Sequence, residues 1–257
     1  MLAIEGVSKR FGGLWAVRDC TLAVEEGTIT GLIGPNGAGK TTLFHIITGF
    51  YRPDRGRVTF RGEDITGQPP WVVFHKGIAR TFQIPKEHRL MTVLENLMLV
   101  PPGQLGERLW NPWFRPWAVR RQEGELRDKA LRILEFVDLV HLKDEYAGTL
   151  SGGQKKLLEL ARVLMAEPKL VLLDEPGAGV NPTLMNKLAA RIRELAKNFG
   201  VTVFLIEHDM DLVMNLCDPV IVMSEGRKLA EGTPEEIRQN QQVLDAYLGG
   251  QYVATGG

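Results

Sequence analysis

No stretch of the 257-residue chain restricts its fold more than Leu32-Ile33-Gly34-Pro35-Asn36-Gly37-Ala38-Gly39-Lys40-Thr41-Thr42. An apolar run leads into Gly, four residues and Gly-Lys-Thr, so a buried strand must hand over to a helix through a glycine-rich loop. Backbone N–H groups can wrap a phosphate only where no Cβ intrudes, which is the use of Gly34, Gly37 and Gly39 here. Lys40 brings a positive charge for β- and γ-phosphates, and Thr41 brings a hydroxyl for Mg²⁺. The helix that starts at this point adds its positive dipole end to the same anion. The run Asn36, Gly37, Ala38, Gly39, Lys40, Thr41 and Thr42 is therefore the expected contact surface for a nucleoside triphosphate.

Around that loop the chain alternates. Leu2 to Val7, Cys20 to Val24 and Thr28 to Ile33 read as short strands between glycine-containing turns, and two further strand-like pieces flank Arg55-Gly56 and Arg61-Gly62. The character then changes to helices. Leu126, Ala130, Ile133, Leu134 and Val137 recur at helical spacing, as do Leu157, Ala161, Leu164 and Met165. Strands return as the continuous apolar runs Leu170 to Leu173, Val201 to Ile206 and Val220 to Met223, the pattern of a parallel sheet covered on both faces. Between the first two of these, Asn181 and Pro182 open a helix with an apolar stripe of Leu184, Leu188, Ile192 and Leu195, and Gly200 closes it. Thr233-Pro234-Glu235-Glu236 reads as a capping box. The expected fold is α/β, a P-loop NTPase core with an N-terminal antiparallel β subdomain. Residues 1–84 and 166–257 form that core, and 85–165 form an inserted helical subdomain.

Composition excludes several partners. Lys+Arg and Asp+Glu are both 31, so bulk charge draws the chain neither to nucleic acid nor to anionic lipid. The N-terminus lacks a basic head and an apolar signal core, and no apolar run approaches the ~20 residues that cross a bilayer. The expectation is a soluble, cytoplasmic protein whose membrane role, if it has one, comes through a partner. Cys20 and Cys217 are far apart in sequence, lie in apolar segments and are expected to pack in the core.

A second motif, Leu150-Ser151-Gly152-Gly153-Gln154, stands just ahead of an amphipathic helix. Ser151, Gly152 and Gly153 at a helix N-terminus make another anion cradle, with Gln154 in the first turn. One chain has little use for two phosphate cradles on one triphosphate, whereas two chains facing head-to-tail use both. A capped helix with a glycine-rich turn is the alternative.

With both motifs on one chain, the sequence resembles the ATP-binding subunits of ABC transporters over essentially its whole length. The resemblance implies the ABC ATPase fold, with ATP as substrate and Mg²⁺ as cofactor. Leu170-Val171-Leu172-Leu173-Asp174-Glu175 is similar to the family's Walker B strand, which gives Asp174 to Mg²⁺ and Glu175 to the attacking water. Gln83 resembles the family's Q-loop glutamine, which touches Mg²⁺ and the lytic water. His208, after Leu205-Ile206-Glu207, resembles the switch histidine at the γ-phosphate. Phe11 takes the place of the adenine-stacking aromatic, with Val17 packed beside it; such stacking contributes ~1–3 kcal/mol and tolerates base identity. One departure concerns Ala178-Gly179-Val180-Asn181, where the family usually has Ser-Ala-Leu-Asp: Asn181 keeps a helix cap but not the charge.

That variant resembles the branched-chain amino acid importer branch, as do Gly77 to Gln83 with Met91 to Leu97, the extension carrying Leu109 to Trp117 and the tail Val243 to Gly249. The implied partners are membrane permease subunits, a second ABC ATPase subunit (identical or, as is typical of that branch, different) and, indirectly, a periplasmic or extracellular solute-binding protein, with no nucleic acid. The implied place is peripheral, on the cytoplasmic face of the plasma (inner) membrane. A urea or amide importer and a lipopolysaccharide-export ATPase are the alternatives. An extension from 105 to 120 carries Trp110, Trp113 and Trp117, three of the chain's five tryptophans, beside arginines. It is read either as a lid over the helical lobe's own core or as a contact with the permease or membrane surface.

Overall fold

The computed structural model describes residues 1–81, 87–107 and 110–253, without the side chains of Pro112 and of 248–253. In chain order the strands are β1 (Leu2–Phe11), β2 (Leu14–Val24), β3 (Ile29–Ile33), β4 (Arg55–Phe60), β5 (Glu63–Asp64), β6 (Ile78–Arg80), β7 (Leu170–Asp174), β8 (Thr202–Ile206), β9 (Val220–Ser224) and β10 (Arg227–Gly232). The helices are α1 (Lys40–Ile47), α2 (Pro70–His75), α3 (Val93–Met98), α4 (Asn111–Phe114), α5 (Pro116–Phe136), α6 (Gly152–Met165), α7 (Pro182–Phe199), α8 (Met210–Leu216), α9 (Pro234–Gln239) and α10 (Gln241–Val253). No described helix is long and apolar enough to cross a membrane.

Two compact units divide these elements. The first comprises 1–80, 169–177 and 192–257. It contains an antiparallel sheet in the order β2-β1-β4-β5 and a six-stranded sheet in the order β10-β9-β3-β8-β7-β6. The second sheet is parallel from β9 to β6, and each residue of β7 and β8 is buried, as an apolar strand covered on both faces requires. Between β4 and β5, Arg61 and Gly62 both take positive φ (51° and 82°), the conformation that a two-residue hairpin turn needs. Phe44 and Phe204 meet at 5.1 Å in a core shared with Leu2, Ile4, Leu32 and Met223. Cys20 and Cys217 are buried as expected, and burial pushes their thiols up to about 11 and about 12.

The second unit comprises 81–168 and 178–191. Leu97, Leu134 and Leu158, one from each of α3, α5 and α6, are fully buried in it. Asn96, also fully buried, is satisfied by donating to the carbonyls of His88 (3.0 Å) and Thr92 (2.9 Å) and accepting from the His88 N–H (2.8 Å). Its ends fall within four residues of the expected 85–165, and it adds residues 178–191, which the sequence assigns to the core but which belong with the helices. Leu184 packs on Gly153, Lys187 pairs with Asp138 at 2.9 Å, and Arg191 lies over the Phe136 ring at 5.3 Å. Those side chains bind the first half of α7 to α5 and α6.

Candidate active site

Strands β3, β8 and β7 are lateral neighbours, and registers Leu32↔Ile206 and Asp174↔Ile206 bring their carboxyl ends to one level. Gly34, His208 and Glu175 follow those three ends, at the edge where open α/β sheets bind ligands. A cavity of about 440 Å³ opens there, lined by the whole run Asn36 to Thr42 together with Phe11, Glu175 and His208. The structure thus brings together the phosphate-binding loop and two residues separated from it by more than half of the chain.

The loop's glycines answer to packing as well as to phosphate. A Cβ at Gly34 (φ +147°) would lie 2.0 Å from the Met223 carbonyl oxygen, and one at Gly39 (φ +97°) would lie 2.2 Å from that of Ala16. Gly39 is the N-cap of α1 and no side chain caps that end, so its first-turn N–H groups face the cavity as anion donors. Lys40 Nζ donates to the carbonyl oxygens of Gly34 (2.7 Å) and Pro35 (3.1 Å). Burial holds its pKa below the ordinary lysine value, while the Glu175 and Asp174 carboxylates draw it back up.

Glu175 leaves β7 with φ +49°, and its N–H donates to the Ile206 carbonyl at 2.9 Å. This turns the side chain toward β8, where Glu175 Oε1 and His208 Nε2 lie 2.8 Å apart. An ionised carboxylate only accepts, so the contact requires the proton on Nε2. Behind this pair, Glu207 is buried and was not singled out from sequence. Its Oε1 accepts the Gly177 N–H at 2.6 Å and its Oε2 the His208 N–H at 3.0 Å, tying together the chain segments that follow β7 and β8. Burial raises the Glu207 pKa, and these N–H bonds oppose the rise. A charged residue ending a five-residue apolar strand is the signal that could have found it.

Asp174 is buried and does not line the cavity. Arg80, from the neighbouring strand β6, donates from Nη2 to its Oδ2 at 2.6 Å, with the two side chains only 5% and 3% exposed. Sequence reading missed this partner too. No cluster of three or more His, Cys, Asp or Glu suited to a metal occurs among the described residues. The donors that are present, the Thr41 hydroxyl and the Asp174 carboxylate, are hard oxygens. They fit Mg²⁺, which takes one or two protein ligands and completes its shell with phosphate oxygens and water.

Phe11 lies at the cavity wall, 43% exposed, with its ring edge-to-face on Tyr51 at 5.2 Å. Val17 does not join it: this side chain is fully buried in the core, and Leu14, Trp15 and Ala16 line the cavity instead. Gln83 lies outside the described residues. In the second unit, Ser151 is the N-cap of α6. Its Oγ accepts the Gln154 N–H at 3.3 Å, and the Gln154 side chain accepts the Ser151 N–H at 2.9 Å. The capping box occupies the hydroxyl oxygen's acceptor side and leaves its O–H to donate. Gly153 lets Leu184 pack where a Cβ would stand, whereas a Cβ on Gly152 would meet open space. Asn181 caps α7 as expected, its Oδ1 accepting the Leu184 N–H at 2.9 Å. The lid reading of the tryptophan-rich extension fails, because Trp110, Trp113 and Trp117 are 72%, 83% and 71% exposed.

Comparison with known proteins agrees with this arrangement. The family model described as ABC transporter matches residues 17–178, and that described as branched-chain amino acid ATP-binding cassette transporter matches residues 227–253. A probable branched-chain amino acid transport ATP-binding protein of Archaeoglobus fulgidus is 47% identical, over 98% of this chain and 96% of its own. A high-affinity branched-chain amino acid transport ATP-binding protein of Pseudomonas aeruginosa is 45% identical, over 97% and 98%. A crystal structure of a nucleotide-free ATP-binding cassette from an ABC transporter superposes with a TM-score of 0.83 at 42% identity, covering 96% of this chain and 98% of that one.

Proposed function

The chain belongs to the ABC transporter ATP-binding family, and from that premise we propose that it is the ATP-hydrolysing subunit of an importer of branched-chain amino acids. The match of the tail 227–253 to the branched-chain model carries the choice of cargo, and it favours this reading over urea, amide or lipopolysaccharide transport.

In this reading the N–H groups of the Asn36–Thr42 run and Lys40 hold the β- and γ-phosphates, and Phe11 stacks on the base. Thr41, Asp174 and Gln83 would hold Mg²⁺, which supplies charge neutralisation between the two phosphates when bound. Glu175 accepts a hydrogen bond from the attacking water and orients it. His208 holds the Glu175 carboxylate through its Nε2–H and turns that donor to the γ-phosphate when ATP is bound. Ser151 and Gly153 of a second ATPase subunit, donating from the open end of α6, complete the charge cage. Closure of the two subunits on ATP, and reopening after hydrolysis, would then move membrane permease subunits from the cytoplasmic face, with a solute-binding protein delivering cargo on the other side.

The test is Glu175→Gln. The variant should bind ATP normally and lose hydrolysis by about 100-fold or more, the range for removing a positioned base. Near-normal steady-state turnover refutes the role of Glu175. In cells whose own copy carries the substitution, uptake of labelled leucine, isoleucine and valine should fall while urea uptake persists. Unimpaired uptake of the three amino acids overturns the cargo.

A further inference from the structure

The tryptophan-rich extension is left unexplained by ATP hydrolysis. Trp110, Trp113, Phe114 and Trp117 are 72%, 83%, 74% and 71% exposed, and of their rings only Trp110 and Phe114 touch one another, at 6.3 Å. Four large aromatics within eight residues expose the kind of patch that a soluble surface avoids. Between 110 and 121 stand Arg115, Arg120 and Arg121 and no acidic residue; Arg121 pairs with Glu125 one turn further on at 2.9 Å, which leaves Arg115 and Arg120 as the cations beside the rings. All three arginines are exposed. On α5, Arg120 and Arg121 follow Trp117 by three and four positions and share its face. Val119, 8% exposed, points the other way, and a Cβ on Gly124, the next position on the outer face, would meet open space.

We propose that this patch docks on the lipid surface beside the permease, with the indoles among the headgroups and the arginines on anionic lipid. Protein interfaces also use Trp and Arg, but their anchors fill pockets in a matched, well-packed surface. Rings that each project more than two-thirds bare suit a fluid medium, which closes around them without shape complementarity. Indoles prefer the headgroup level, and the exposed cations Arg115 and Arg120 beside them match the negative cytoplasmic leaflet. The inference rests on the transport reading, since only a membrane-associated ATPase meets such a surface.

The experiment uses the purified full chain with vesicles of phosphatidylcholine containing about 30% phosphatidylglycerol, and with pure phosphatidylcholine vesicles, read by flotation and by quenching of tryptophan fluorescence with brominated lipid. Three of the five tryptophans lie in the patch, so quenching reports on it directly. Wild-type chain should float with the anionic vesicles and be quenched. The double substitution Trp113→Ser, Trp117→Ser should abolish both signals at unchanged thermal midpoint and ATPase rate. Arg115→Gln with Arg120→Gln should weaken binding to anionic vesicles about 25-fold, at roughly fivefold per cation, and leave pure phosphatidylcholine unaffected. Equal binding by the variants and wild type overturns the proposal. So does failure of wild type to bind vesicles, and tryptophan-dependent capture by detergent-solubilised permease in that case gives the surface to a protein partner. Either result leaves ATP hydrolysis and amino acid uptake, which Glu175→Gln probes, untouched.

Discussion

Replacing Arg80 by methionine keeps an apolar stem in the same space and removes the guanidinium that holds Asp174. The pair is 2.6 Å apart and its side chains are 5% and 3% exposed, so water cannot take over when one partner goes. At an effective dielectric of about 20, charges about 4 Å apart interact by ~4 kcal/mol. Losing one member of a buried pair is observed to cost about 3–5 kcal/mol, because the other charge is stranded. Lys40 is near enough for the Asp174 carboxylate to influence its titration, and it offsets part of the loss, so the lower end of that range, about 3 kcal/mol, is expected. Urea unfolding read by fluorescence measures it. The exposed Arg121–Glu125 pair, 2.9 Å apart, serves as the internal control, and Arg121→Met should change stability by less than about 0.5 kcal/mol. A second readout is His45, whose pKa is lowered by burial and then by the Arg80 charge, with Asp174 opposing. Arg80→Met should therefore move the His45 titration upward in an NMR pH series. A stability loss under about 1 kcal/mol, with His45 unmoved, refutes the claim that Asp174 depends on Arg80.

Two further substitutions probe the frame of the site. Gly39→Ala forces a Cβ to 2.2 Å from a backbone oxygen at φ +97°, so it should lower stability by more than the ~1 kcal/mol of left-handed strain alone and weaken ATP binding; an unchanged midpoint in thermal unfolding refutes this. Glu207 has a folded-state pKa raised above its usual 4.5, so the folded chain retains a proton that the unfolded chain has released. The stability this contributes is full below the unfolded value and is lost as pH rises through the folded one. Relative to wild type, Glu207→Gln should accordingly gain stability as pH increases across that window, and parallel stability curves from pH 4 to 8 refute the assignment.

What the sequence reveals here is what short-range chemistry dictates. The loop from Gly34 to Thr42, the caps at Ser151, Asn181 and Thr233, and the buried strands β7 and β8 each depend on a few adjacent residues and stand where they were expected. Arg80 and Asp174 are 94 positions apart and meet only because β6 lies beside β7, a strand order that no local pattern encodes. The resemblance places Val17 beside Phe11, whereas the β1–β2 ladder shifts register between Val7↔Cys20, Lys9↔Val17 and Arg10↔Trp15 and Val17 is buried in the core. The first half of α7 sits with the helical unit because of partners far away in sequence: Phe136 of α5, Asp138 just after it and Gly153 of α6. The exposed tryptophans were ambiguous because amphipathic rings serve equally in a core or at an interface.

The left-handed backbone at Glu175 has a consequence for how this protein can change. Glycine would relax a φ of +49° and recover about 1 kcal/mol, yet it could neither reach His208 nor orient water. Thermal resilience and turnover therefore favour different residues at position 175, and a lineage screened for resilience alone would drift there toward a well-folded chain that binds ATP and does no work.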